Sequence, residues 1–207
     1  MLKPNFVFVM LRWLALSFLL LGAASAAQAA IPASERTVLT NLYDSTNGPS
    51  WTINTRWKGD VGSECTWYGV TCDGAQTHVI YIGLGNNHLV GILPSLSGLP
   101  ALNLFQVASN QLSGPIPSLS GLTALQFFYA DNNQLSGPIP SLSGLTTLQF
   151  FYVNKNQLTG PVAAAPTSLV RGGSNLCGNS LVSSGNPTID AAWVTAAGNW
   201  LACQTLH

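Results

Sequence analysis

The chain is predicted to be an α/β solenoid, a right-handed coil of short repeats with a parallel β-sheet along one side and helical caps at both ends. Three observations predict it. Asn87, Asn110, Asn133 and Asn156 recur at one constant spacing, as do Gly91, Gly114, Gly137 and Gly160, and Leu89, Leu112, Leu135 and Leu158. Residues 118–140 match residues 141–163 at 16 of 23 positions, a self-similarity that marks stacked supersecondary units. Within each unit, apolar residues alternate at period two over a short stretch, which marks a strand.

The strands are expected over residues 81–85, 104–108, 127–131 and 150–154. In the third, Phe128 and Ala130 face inward while Phe127, Tyr129 and Asp131 face outward. Stacked in parallel about 4.8 Å apart, such strands form one continuous sheet. Each recurring Asn falls where the chain turns away from its strand. Its amide both donates and accepts, so it can satisfy backbone groups buried by the turn, each costing about 1–3 kcal/mol if unpaired. The pairs Gly114-Pro115 and Gly137-Pro138 prevent a regular helix on the convex side, where extended and 3₁₀ segments are expected.

A solenoid must also cover its apolar ends. Ahead of the repeats, Val38, Leu39, Leu42 and Tyr43 form a helical stripe, with Ser34 as N-cap and Gly48 as stop signal. After them, Ile189, Trp193, Ala196 and Trp200 fall on one helical face, and residues 169–177 read as a degraded fifth repeat. The tryptophans Trp51, Trp57 and Trp67 are read as core of the first cap rather than as sugar platforms. The four cysteines flank the repeats in two close pairs, and Cys65–Cys72 with Cys177–Cys203 is the pairing that does not cross the repeat tract. A zinc site would need closely spaced ligand clusters, which His78, His88 and His207 do not supply.

The N-terminus reads as a secretory leader. Lys3 and Arg12 precede the apolar run Trp13 to Leu21, which leads to an Ala-rich stretch of bacterial type with the cleavage site Ala27-Gln28-Ala29. A retained anchor is the alternative, since residues 13–30 could cross a thin bilayer. Export suits two disulfides. The expected organisation is a leader at 1–29, an N-terminal cap at 30–77, four repeats at 78–163, and a degenerate repeat with C-terminal cap at 164–207. Without the leader, five basic residues face seven acidic ones. No basic patch is present, which argues against nucleic acid as a partner.

The unit Asn133-Gln134-Leu135-Ser136-Gly137-Pro138-Ile139-Pro140 resembles the plant-specific subclass of leucine-rich repeats. The stretch Trp51 to Gly74, with Cys65-Thr66-Trp67-Tyr68-Gly69-Val70-Thr71-Cys72, resembles that family's N-terminal cap. The resemblance covers roughly residues 34–163 and implies a curved solenoid that recognises proteins or peptides, as in receptor ectodomains and secreted inhibitors of cell-wall-degrading enzymes. The chain departs from the receptors in having only four full repeats and neither a transmembrane helix nor a kinase domain.

Catalysis needs convergent titratable groups. From residue 74 to residue 189 the only carboxylate is Asp131, and the only basic residues are Lys155 and Arg171. The expectation is therefore a binding protein without a catalytic site, metal or cofactor. The outward columns of the sheet read Tyr81/Leu104/Phe127/Phe150, Gly83/Gln106/Tyr129/Tyr152, Gly85/Ala108/Asp131/Asn154 and Asn86/Ser109/Asn132/Lys155. The candidate ligand-binding residues are Tyr81, Gln106, Phe127, Tyr129, Asp131, Phe150, Tyr152, Asn154 and Lys155, because exposed aromatic clusters mark interfaces. The alternatives are cross-strand stacking that only stiffens the sheet, a carbohydrate-binding surface, and a structural or ice-adsorbing surface; the last favours regular Thr ladders that this chain lacks. The leader reading is tested by the intact mass of the exported protein, which should begin near Ala30. A mature species that keeps residues 13–21 in the membrane would overturn it.

Overall fold

The computed structural model describes residues 30–205; the leader with its cleavage site, and His207, lie outside them. The chain forms a leucine-rich-repeat solenoid. After helix α1 (Ala33–Ser45) come strands β1 (Val70–Cys72), β2 (Val79–Gly83), β3 (Val90–Ile92), β4 (Leu104–Gln106), β5 (Gln111–Gly114) and β6 (Phe127–Tyr129). They are followed by β7 (Gln134–Gly137), β8 (Phe150–Tyr152), β9 (Gln157–Pro161), β10 (Ser174–Asn175), β11 (Ser180–Val182) and helix α2 (Pro187–Ala197). The concave sheet runs β1-β2-β4-β6-β8-β10, with β1 antiparallel at its edge and the other strands parallel. Its strands are shorter than the sequence predicts. Strands β4, β6 and β8 each end at their third residue, and the chain then turns at Asn86, Ser109, Asn132 and Lys155, all at positive φ.

The extended convex segments join into a second sheet, in the order β11-β9-β7-β5-β3. Here the strands pair out of step with the repeat. Ser113 lies beside Gln134 and not beside Ser136, its equivalent in the next coil, so this sheet runs sheared across the coils. Between the sheets, single 3₁₀-type turns close through Leu122 N to Leu119 O and Leu125 N to Leu122 O.

Ile82, Phe105, Phe128 and Phe151 occupy the inward position of successive strands and are fully buried. Phe105 stacks on Phe128 at 5.7 Å, and Phe128 on Phe151 at 5.4 Å. Trp193 of α2 continues the column, 6.1 Å from Phe151. The apolar core therefore runs unbroken into the C-terminal helix.

Beside this column runs a ladder of side-chain amides, buried at Asn87 and Asn156 and half-buried at Asn110 and Asn133. Asn133 Nδ2 donates to Val107 O (3.0 Å) and Ala130 O (3.2 Å), while its Oδ1 accepts from Leu112 N (3.0 Å). Asn110 and Asn156 repeat the pattern. Asn87 begins it by holding Ile53 of the cap through both N–H and C=O. Two further rungs escaped the sequence reading. Asn179, one period beyond Asn156, is fully buried and donates to Val153 O and Leu176 O. Gln204 closes the ladder slightly more than one period later, its Oε1 accepting from Leu181 N (3.2 Å) and its Nε2 donating to Leu176 O (3.2 Å). The longer Gln side chain bridges a position that the regular period does not reach.

The caps differ from expectation in detail. Ser34 lies inside α1; the N-cap is Pro32, whose carbonyl accepts from Glu35 N and Arg36 N. The helix ends before Gly48, with Thr46 as C-cap and Asn47 left-handed. Helix α2 stops at Ala197 because Gly198 takes φ 66°, so Trp200 belongs to a following 3₁₀ turn, although it is buried as predicted. The tryptophans Trp51, Trp57 and Trp67 are all buried and pack ring to ring. Both disulfides form as paired in the sequence reading, Cys65–Cys72 and Cys177–Cys203.

Glu35 is a buried carboxylate that the sequence pattern did not flag. It accepts from Val79 N (2.7 Å) and pairs with His78 Nδ1 (2.6 Å), tying α1 to the first repeat strand. This hydrogen bond raises the His78 pKa above the ordinary histidine value, partly opposed by desolvation. With the folded value raised, the contribution to stability is full below the unfolded histidine range and fades as pH rises through the folded value.

The ladder makes an unequal pair of substitutions. Asn133→Leu strands the backbone groups that Asn133 holds, whereas Gln134 is exposed and makes no side-chain hydrogen bond among the described residues. Chemical denaturation should show Asn133→Leu less stable than Gln134→Leu by about 1–3 kcal/mol. Equal midpoints with equal slopes would rule out the ladder as a source of stability.

Candidate functional site

The concave sheet presents its outward residues in strict register. Tyr81 lies beside Leu104, Leu104 beside Phe127 and Phe127 beside Phe150; Gln106 lies beside Tyr129 and Tyr129 beside Tyr152. The third and fourth repeats therefore bring Phe127, Phe150, Tyr129 and Tyr152 together. The four rings are half-buried rather than fully exposed, because they cover one another. Phe127 and Phe150 stack nearly parallel, at 5.2 Å and 11°. Tyr129 and Tyr152 lie 5.3 Å apart at a tilt of 52°, and Phe127 lies 6.3 Å from Tyr129. Neighbouring strands place the rings side by side, and contact between them removes ring surface from water.

The other candidate residues form the surround. Tyr81 folds down over Gly83, where any Cβ would collide with its ring. Gln106 lies over Gly85 in the same way, its Oε1 accepting from Gly85 N at 2.8 Å. Glycine at these two positions lets side chains lie flat across the face. Asp131 accepts from Asn132 Nδ2 at 2.5 Å. Asn154 Oδ1 is buried and has no hydrogen-bond partner among the described residues. Lys155 is exposed at the turn, so the two charged residues sit at the strand ends rather than among the rings.

One column beside the rings was missed. Ile80, Asn103, Gln126 and Gln149 share the repeat spacing and stand just before Tyr81, Leu104, Phe127 and Phe150. Their backbones link coil to coil, Asn103 N to Ile80 O, Gln126 N to Asn103 O and Gln149 N to Gln126 O. At the start of the column an open hollow of about 360 Å³ is lined by Thr71, Ile80, Tyr81, Asn103 and Leu104. The recurrence was visible in the sequence. Strict inward–outward alternation left no place for this column, which lies inside β2 at Ile80 and just ahead of β4, β6 and β8 at Asn103, Gln126 and Gln149.

No family model and no curated protein sequence matches the chain. Solved structures do. The BIR2 ectodomain from Arabidopsis thaliana superposes with a TM-score of 0.65 at 25% identity, over 83% of this chain and 94% of that one. The leucine-rich-repeat ectodomain of the receptor kinase GASSHO1/SCHENGEN3 from the same plant, in complex with Casparian strip integrity factor 2, gives 0.60 at 28% identity. That match covers 71% of this chain and 18% of that one. The BIR3–SERK2 complex, also from Arabidopsis thaliana, gives 0.56 at 24% identity over 70% of this chain and 82% of that one, a likeness of fold. By these likenesses the chain has the fold of plant leucine-rich-repeat ectodomains.

Burial, with the nearby Tyr152 phenol as a second cause, raises the Tyr129 pKa above the ordinary tyrosine value. In ultraviolet difference titration Tyr129 should therefore ionise later than a blocked tyrosine standard. Tyr152→Phe should bring the midpoint down only part of the way, because desolvation remains. A midpoint equal to the standard in both proteins would show that the pair is not packed in solution.

Proposed function

We propose that this chain is an extracellular, non-catalytic binding solenoid that takes a protein or peptide ligand on its concave face. The observation that carries the reading is the packed aromatic group Phe127, Tyr129, Phe150 and Tyr152 at the centre of the sheet, with polar and charged side chains only at its margin. Nothing in the repeat requires rings there, since the inward column alone completes the core. Aromatic residues ringed by polar ones are the composition of an interface centre. The GASSHO1/SCHENGEN3 ectodomain was solved in complex with Casparian strip integrity factor 2, and a ligand of the protein or peptide class is proposed here as well.

A glycan is the second reading, supported by Gln106 and Asn154 beside the tyrosines. The packing argues against it. Sugars stack on open ring faces, whereas Phe127 and Phe150 each turn one face to the other. The two disulfides fit an oxidising compartment outside the cytosol. The proposed organisation keeps the leader at 1–29, the cap at 30–77, the repeats at 78–163 and the terminal coil with its cap at 164–207.

Capture from a secreted protein fraction, run beside a glycan array, separates the two ligand classes. Tyr129→Ala with Tyr152→Ala should then weaken binding of the captured protein by about 2 kcal/mol or more, with the circular dichroism spectrum unchanged. Gln111→Ala with Gln157→Ala, on the second sheet, is the matched control and should change little. A double tyrosine variant that binds as tightly as the parent would remove the concave face from consideration.

A further inference from the structure

We infer that Tyr129 and Tyr152 are a site of oxidative coupling, at which an extracellular peroxidase joins the two rings by a carbon–carbon bond and staples the third repeat to the fourth. This goes beyond the ligand reading above and does not depend on it. What an oxidant meets on this protein is unusual. Methionine and free thiols take up oxidants readily. Both methionines, Met1 and Met10, precede the described residues, and all four cysteines are held in disulfides. The tryptophans Trp51, Trp57, Trp67, Trp193 and Trp200 are all buried. Tyrosine is left as the accessible side chain that a one-electron oxidant can attack.

Geometry selects one pair. Tyr43 packs among Trp51 and Trp57 in the first cap, and Tyr81 lies over Gly83. Tyr129 and Tyr152 are the one tyrosine pair in ring contact among the described residues, side by side on adjacent parallel strands. Their centroids are 5.3 Å apart and their planes are tilted by 52°. Rings joined through ring carbons by a bond of about 1.5 Å have centroids roughly 4 Å apart, so the pair need close by only about 1 Å. Such rings are twisted about the bond, because the hydroxyls beside it crowd when the rings are coplanar, and the observed tilt is already of that kind. The neighbouring Phe127 and Phe150 stack nearly parallel and carry no hydroxyl to oxidise. Neither phenol of the tyrosine pair is buried or hydrogen-bonded among the described residues.

Each tyrosine gives one electron and its phenolic proton to a haem peroxidase that hydrogen peroxide has oxidised. The two phenoxyl radicals join at the ring carbons beside the hydroxyls. The hydrogen on each of those carbons then passes to its oxygen, which restores both phenols. One hydrogen peroxide becomes two waters, and the protein loses two hydrogens. The new bond ties adjacent coils in the middle of the concave sheet, where neither terminal disulfide reaches.

The test treats the whole exported protein, kept dilute, with a haem peroxidase and a limiting amount of hydrogen peroxide. The monomer should lose the mass of two hydrogens and gain the fluorescence of coupled tyrosine, and peptic mapping should find Tyr129 joined to Tyr152. Tyr129→Phe and Tyr152→Phe should each abolish the monomer's new fluorescence, and Tyr81→Phe should leave it unchanged. Because Phe keeps the ring and the phenols make no internal hydrogen bond, all three variants should keep the parent's far-ultraviolet spectrum. A second arm needs no variant: treatment of the parent in enough urea to unfold it should remove the preference for this pair. Coupling confined to oligomers and lost with Tyr68→Phe and Tyr81→Phe would overturn the assignment. So would oxygen added to tryptophan ahead of any coupling, monomer fluorescence that survives Tyr152→Phe, or the same link formed as readily in urea. A folded parent that yields no coupled product would overturn it as well.

Discussion

The structure depends on one constraint, the hydrogen bonding of backbone that each coil buries as it turns away from the concave strand. So short a repeat leaves too little chain to place those groups in helix or sheet. The Asn ladder resolves the problem by letting one side chain serve its own coil and the coil before it. Because every rung reaches backward, the coils are coupled in sequence, and the ladder needs a start and a finish. Ile53 supplies the start and Gln204 the finish. The disulfides sit beside these two ends, Cys65–Cys72 in the segment that follows Ile53 and Cys177–Cys203 immediately before Gln204.

With the ladder fixing the register, identical positions of successive repeats are brought side by side. A residue type repeated at the period becomes a column. Inward, the phenylalanines become a stacked core that passes into Trp193. Outward, the same geometry makes the aromatic group and the row of amides next to it. The near-duplication of residues 118–140 by 141–163 thus builds a two-coil surface from one sequence. The function proposed for the protein lies on residues that the scaffold does not use.

The plant ectodomains share the solenoid at low sequence identity, as expected of a fold held by a few periodic positions. The outward columns carry no such constraint and are free to differ. Any specificity must come from the particular side chains of this chain's outward columns rather than from the shared fold.

The sequence by itself determined what repeats or what is local. Period, strand positions, inward and outward columns, and the pairing of cysteines close together in the chain all follow from spacing, because each coil sees neighbours like itself. Tertiary structure decided what spacing does not carry. The sheared second sheet arises because its strands pair out of step with the repeat, Ser113 with Gln134 instead of Ser136. Gln204 replaces an Asn only because its longer side chain reaches the last coil from an irregular distance. The burial of Glu35 depends on the docking of α1 against β2. The half-burial of the four concave rings depends on which neighbours fill the adjacent space. At the ends of a solenoid, and on its outer face, a side chain's surroundings are set by packing between segments and not by the period that placed it there.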